Sequence, residues 1–254
     1  MKNKLLNSIG SYHWGLKTKG SLSSFEKMQL GIKAIAMRMK EKSPFRSSYV
    51  PINIDPGTIE LPDSKLVKQA LEYIDDTHQN SIKNHCLRAF VFGELFGQHE
   101  KLKYDKEIFV LSALLHDLGL EDKHCSLHKN IDCFAIEGAK EAGIYLKSLN
   151  TISNEKIGII QDAIALHLNI KIPKSITEAY LLNKASATDT IGFYLHQISD
   201  ATIQSMMKLY PRNNFNNDVH QMLKKQCKMR PESRISFLYA NGFGGRLKTI
   251  NFKK

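Results

Sequence analysis

Leu114-Leu115-His116-Asp117-Leu118-Gly119 closes an apolar run on an adjacent His-Asp pair followed by glycine. A histidine and an aspartate side by side offer a nitrogen and an oxygen to one cation. His85 lies 31 positions before this pair and Asp189 lies 72 positions after it. The resulting H…HD…D set mixes nitrogen and oxygen donors and suits a divalent transition metal. A metal-dependent enzyme is therefore the first reading.

The stretches around the pair are helical in pattern. Residues 81–97, 105–117, 134–148 and 154–169 each read as a helix. Leu66, Val67, Ala70, Leu71 and Ile74 form an earlier stripe, with Asp63 or Ser64 as N-cap. Ser175 with Glu178 reads as a capping box opening a helix through His196. Another helix ends near Pro211, and a last one spans 216–229. No alternating strand pattern stands out, so the fold class is all-α. Near the N-terminus Phe25, Met28, Ile32, Ile35 and Met39 recur at helical spacing, and Pro44 stops the run. This amphipathic helix is expected to dock on the core. Residues 43–62 hold four of the seven prolines and read as a linker. The organisation is thus a basic N-terminal extension over 1–61 and a helical domain over 62–254. The glycine-rich segment 241–246 matches no phosphate-loop spacing and reads as a loop.

Composition narrows the classes. The chain has 254 residues, 42% hydrophobic and 24% charged, as ordinary soluble domains do. No apolar run reaches the length of a membrane span. Asn7, Ser8 and Gly10 break the only stretch resembling a signal peptide. The four cysteines show no C-x-x-C spacing and fit free thiols in a cytoplasmic protein. The net charge of +11 is uneven. Residues 1–50 carry 10 Lys/Arg against 2 acids, and residues 221–254 carry 9 against 1, while residues 51–220 carry 17 against 22. Basic ends can touch nucleic acid or an anionic surface. Without an aromatic-interleaved basic motif, they read as solvated surface.

The chemistry-bearing residues have plain readings as well. His85, with Ile82 and Ala89, sits on an apolar helical face, and a lone histidine there is ordinarily a satisfied core residue. Asp117 is harder to set aside, because a buried carboxylate persists only when paired or bound to a metal. Asp189 falls on an inward stripe with Leu182 and Ala185. His167 follows Ile160, Ala163 and Ile164 and points inward. Arg88 lies one turn beyond His85, and Glu137 follows Phe134. Their joint inward placement on separate helices is the signal. His124 and His128, just after the pair, read as part of a site-covering loop. Tyr210-Pro211-Arg212 reads as a helix stop whose arginine can bind an anion.

The chain resembles the HD superfamily of metal-dependent hydrolases, and within it the cyanamide hydratase-like branch. The likeness covers 62–235. It rests on Asn84-His85-x-x-Arg88, Leu114-Leu115-His116-Asp117-Leu118-Gly119-Leu120, Phe134-x-x-Glu137-Gly138-Ala139, Ala163-Ile164-Ala165-Leu166-His167, Asp189-x-x-Gly192 and Tyr210-Pro211-Arg212. Ala135 stands where the branch carries an acid. The resemblance implies an HD-type helical bundle with one divalent ion held by His85, His116, Asp117 and Asp189. It implies zinc, with iron, manganese, magnesium or nickel used elsewhere in the superfamily.

On this reading a hydroxide generated at the ion attacks a small substrate. His167 is the expected proton-transfer or substrate-contact residue, facing the cavity without being a ligand of a single ion. Arg88 and Glu137 are expected to orient ligands. One alternative is a nucleotide or phosphoester phosphohydrolase, for which Lys184 and Arg88 are the available cations. Another is a non-catalytic, metal-containing binding module whose basic ends hold nucleic acid.

Overall fold

The computed structural model describes residues 8–42, 50–121, 131 and 133–252. Its α-helices are α1 (Tyr12–Thr18), α2 (Ser24–Lys42), α3 (Lys65–Thr77), α4 (Asn80–His99), α5 (Lys106–Leu115) and α6 (Phe134–Ser148). They continue as α7 (Asn154–Leu166), α8 (Thr177–Ile191), α9 (Asp200–Leu209), α10 (Phe215–Met229), α11 (Arg234–Leu238) and α12 (Gly244–Thr249). Among the described residues there is no strand, only two isolated bridges, Ser21 with Ser233 and Ile52 with Ile198. The architecture is all-α.

Local chemistry sets the starts of these helices. Ser64, Asp105, Ser153 and Ser199 each cap a helix by accepting from a backbone N–H two or three residues on. Each such cap contributes about 1 kcal/mol. Helix α5 is the centre. Every residue from Ile108 to Leu115 is buried, and a helix apolar all round belongs in a core. Helices α3, α4, α7 and α8 pack against it. Helices α4 and α8 run antiparallel, since Asp189 bonds Arg88 while Lys184, earlier on α8, reaches Glu100 at the far end of α4.

The His-Asp pair ends α5. His116 is its C-cap, and Asp117 precedes a 3-10 turn over Leu118–Leu120. Gly119 lets this turn lie against α6. A Cβ there would sit 1.9 Å from the carbonyl oxygen of Phe134 and 2.8 Å from the backbone nitrogen of Gly138. Neither backbone atom can yield cheaply. Gly119→Ala is therefore expected to destabilise the fold by about 2–3 kcal/mol, as overpacking does. A urea melt of the variant beside the parent checks this; unchanged midpoints would refute the close approach.

Three sequence expectations change. The helix read from Ser175 to His196 spans only Thr177–Ile191. Its N-cap is Ile176 without a side-chain cap bond, and Glu178 instead accepts from the backbone N–H of Asp105. Gly192, in the left-handed region at φ 69°, ends it. The glycine-rich 241–246 segment is only in part a loop: Asn241 and Gly242, the latter at φ 103°, leave helical geometry and kink the chain after α11, while Gly244, Gly245 and Arg246 open α12. Helix α2 does dock, through buried Leu30 against Trp14 and Leu22, but the stripe Phe25, Met28, Ile32, Ile35 and Met39 faces away from the body. The proline-rich stretch lies partly in the described residues, where Ile52 and Ile59 join the main core and buried Pro56 opens a 3-10 turn.

Candidate metal centre

Helix α4 supplies His85 and the end of α5 supplies His116 and Asp117. All three are buried, and their donor atoms lie within 4.8 Å of one another. Nε2 of His85 is 3.1 Å from Nε2 of His116. Each of these nitrogens is 3.5 Å from Oδ2 of Asp117. Ligands bound at about 2.1 Å to one ion, at angles near 90–115°, are spaced roughly 3.0–3.5 Å apart. The triangle fits that spacing.

Hydrogen-bond partners assign the histidine tautomers. Nδ1 of His116 lies 2.8 Å from the carbonyl oxygen of Ala113, which only accepts, so Nδ1 carries the proton. Nδ1 of His85 lies 2.6 Å from Oδ2 of Asp189, another acceptor. In the neutral rings both Nε2 atoms are then bare lone pairs, facing each other and a carboxylate. Burial lowers the pKa of His116 and so favours its neutral form. Burial by itself would raise the Asp117 carboxyl, but His116, His85 and His167 around it hold it below the ordinary carboxylate range. Three electron-rich atoms with no proton between them can hold a metal ion.

Asp189 occupies a different place from the other three. It is buried behind His85 rather than beside the Nε2 atoms. Its Oδ2 accepts from His85 Nδ1 and from Arg88 Nη2 at 2.9 Å. Its Oδ1 accepts from Arg88 Nε at 2.8 Å and Arg212 Nη1 at 2.7 Å. Burial opposes its charge, yet the two guanidiniums hold the carboxyl far below the usual range. The fourth residue of the expected ligand set thus fixes the ring of the first, the carboxylate–histidine arrangement common behind metal ligands. Arg88 also donates to the carbonyls of Tyr210 and Pro211, tying α4 to the end of α9.

The remaining expected residues divide. His167 ends α7 and is buried beside His116, ring centroids 5.0 Å apart and nearly perpendicular. Its Nδ1 lies 2.6 Å from the carbonyl oxygen of Ile164, so its Nε2 also carries a lone pair. It stands outside the three-residue group. Glu137 is ion-paired with Arg230, the C-cap of α10, and so anchors α6 to α10. Nδ1 of His85, His116 and His167 each meets another partner. Lys184 points away from the centre. It meets Glu100 at 2.6 Å and lies 4.0 Å from the ring centroid of Phe96, at the opposite end of α4 from His85. His124 and His128 lie outside the described residues.

Sequence reasoning missed two contributors, Phe215 and His78. Phe215 stacks on His85 at 4.7 Å and takes both Arg88 and Arg212 over its face. His78 caps α3, with Nδ1 2.7 Å from Glu121, and its buried Nε2 has no hydrogen-bond partner. Arg212 was legible only as an anion binder in Tyr210-Pro211-Arg212; the anion is Asp189. Two surface clefts lie elsewhere, one of about 120 Å³ between α2 and residues 166–176, the other beside α9.

Burial and the neighbouring His116 push His167 down to about 3. Between roughly pH 6.5 and that value the unfolded chain binds a proton at this position that the folded chain does not. Stability is therefore expected to fall as pH drops through 6.5, by about 2 kcal/mol at pH 5 from this residue. Urea melts of metal-free protein at pH 7 and pH 5 measure it, and His167→Gln should remove that part of the difference. An identical pH dependence in the variant would contradict the assignment.

Compared with models of known protein families and with curated proteins, the chain matches none.

Proposed function

We propose that this chain is an HD-type, metal-dependent hydrolase or hydratase that adds water to a small neutral substrate, with His85, His116 and Asp117 holding one divalent ion. The observation that carries the reading is the bare Nε2 pair of His85 and His116, 3.1 Å apart and facing the Asp117 carboxylate. With both rings neutral and no cation between them, that arrangement is repulsive. Two imidazoles and a carboxylate favour zinc, and leave iron, manganese and nickel as competitors. When bound, such an ion acidifies water and polarises an electrophilic centre.

The chain's own residues do the rest. Asp189 holds the His85 ring in register, and Arg88 with Arg212 keep Asp189 ionised. His167 presents a neutral Nε2 beside His116, suited to accept a proton or a hydrogen bond from a reactant. Among the described residues, the cations considered for the site are engaged already: Arg88 and Arg212 with Asp189, Arg230 with Glu137, and Lys184 with distant Glu100. A phosphoryl group needs an electrostatic clamp around its oxygens. These pairings supply none, which favours a neutral substrate over a phosphoester. No helix among the described residues is long and apolar enough to cross a membrane.

The test joins elemental analysis of the purified protein to turnover on matched nitriles, cyanamides and phosphoesters. One equivalent of metal with metal-dependent water addition to a nitrile or cyanamide is expected. Metal-dependent phosphate release alone would replace this reading with a phosphohydrolase. Bound metal without turnover on any panel would favour a binding module.

A further inference from the structure

We propose that the outer face of α2, together with the basic C-terminal segment packed beside it, docks the protein on an anionic lipid surface. This inference is independent of the chemistry at the metal centre. Its first observation is the stripe itself. Phe25, Met28, Ile32, Ile35 and Met39 are between 54% and 69% exposed, on the side of α2 opposite buried Leu30. Five large apolar side chains in one row present on the order of 500 Å², the upper end of what a soluble monomer exposes as one patch.

The second observation is where the charge sits. At 100° per residue, Lys33 lies to one side of the stripe and Lys27 and Arg38 to the other, each roughly 100–120° round the axis. Cationic side chains at those angles can place their heads at a headgroup layer while their stems run along the apolar face. The fold then brings the other basic end of the chain to this helix. Lys27 is ion-paired with Glu232, and the backbone N–H of Leu22 donates to the Glu232 carbonyl. Phe237 packs on the Trp14–Leu22–Leu30 cluster, and the Arg38 guanidinium lies against Gly242. These contacts place residues 232–242, from the basic C-terminal part of the sequence, beside the basic helix α2. The acidic balance of residues 51–220 is left to the body around the metal group.

An apolar stripe ringed by this much positive charge discriminates among partners. Nucleic acid would use the cations and leave the stripe in water. A second copy would bury the stripe but bring two strongly basic ends together. An anionic bilayer satisfies both features at once, since its headgroups attract the cations and its acyl boundary takes the stripe.

The experiment is flotation of the full-length protein with phosphatidylcholine vesicles, with and without phosphatidylserine. Partition onto the anionic vesicles is expected to exceed that onto neutral ones by about tenfold or more and to fall with added salt. Ile32→Asp with Ile35→Asp should lower it at least about tenfold, because both side chains leave the acyl boundary and gain charge. Both positions face water, so melting temperature and metal content should not change. Lys33→Glu with Arg38→Glu should weaken anionic binding and leave the small neutral-vesicle component. Equal partition of the Ile32/Ile35 variant and the parent would overturn the proposal. So would a dimer, seen by light scattering without vesicles, that the same variant dissociates. Binding to duplex DNA that the Ile32/Ile35 variant retains, with no vesicle binding by the parent, would also overturn it.

Discussion

Asp117→Ala is expected to leave the protein folded and without its metal. The carboxylate is one corner of a triangle whose other corners are two neutral imidazole nitrogens 3.1 Å apart. Removing it deletes the only anionic donor of the three and leaves His85 and His116 to hold a divalent ion alone. Partners that merely orient a ligand cost about 10–100-fold in metal affinity when removed, so loss of a ligand should exceed about 100-fold. Hydrolase or hydratase turnover should vanish with the ion. The fold should survive, because among the described residues Asp117 has no arginine or lysine partner that its removal would strand. Elemental analysis of the variant beside the parent, with circular dichroism on both, reads the outcome. Full metal occupancy in the variant would refute the assignment of this group as the metal centre.

Asp189 is expected to behave differently, and the difference separates two roles. Here the carboxylate accepts four hydrogen bonds, from His85, Arg212 and the two nitrogens of Arg88. Asp189→Ala strands the buried Arg88 guanidinium and the half-buried one of Arg212, and breaking such a cluster from one side costs about 3–5 kcal/mol. For a chain of this size that lowers the melting temperature by on the order of 10 °C. Asp189→Asn keeps the shape and part of the bonding, so it should fold. Its metal affinity should drop by about 10–100-fold, as for a residue that fixes the His85 ring, and metal should return at raised concentration. If Asp189 were a direct ligand, Asp189→Asn would resist such rescue as completely as Asp117→Ala does. Calorimetric titration of the metal-free variants decides between these outcomes.

Much of this protein follows from local sequence. The helices around the centre are visible as 3.6-residue periodicity bounded by Ser64, Asp105, Ser153 and Ser199, since capping and amphipathicity act within a few residues. The pairing of His116 with Asp117 at a helix end is likewise local, and it offers a nitrogen and an oxygen donor to one cation before any fold is known. Partner choice is not local. Helix α8 is buried on nearly every side, so its composition carries no phase, and only packing shows that Lys184 turns to Glu100 while Asp189 turns to His85 and the two arginines. The tautomers of His85, His116 and His167 depend on the atoms opposite each Nδ1, two of them backbone carbonyls on the same helix and one a carboxylate 104 residues away. The stripe on α2 makes the same point at the surface. Periodicity shows that Phe25, Met28, Ile32, Ile35 and Met39 share a face. Whether that face meets the core or the solvent was decided by Leu30, which docks the opposite side against Trp14 and Leu22.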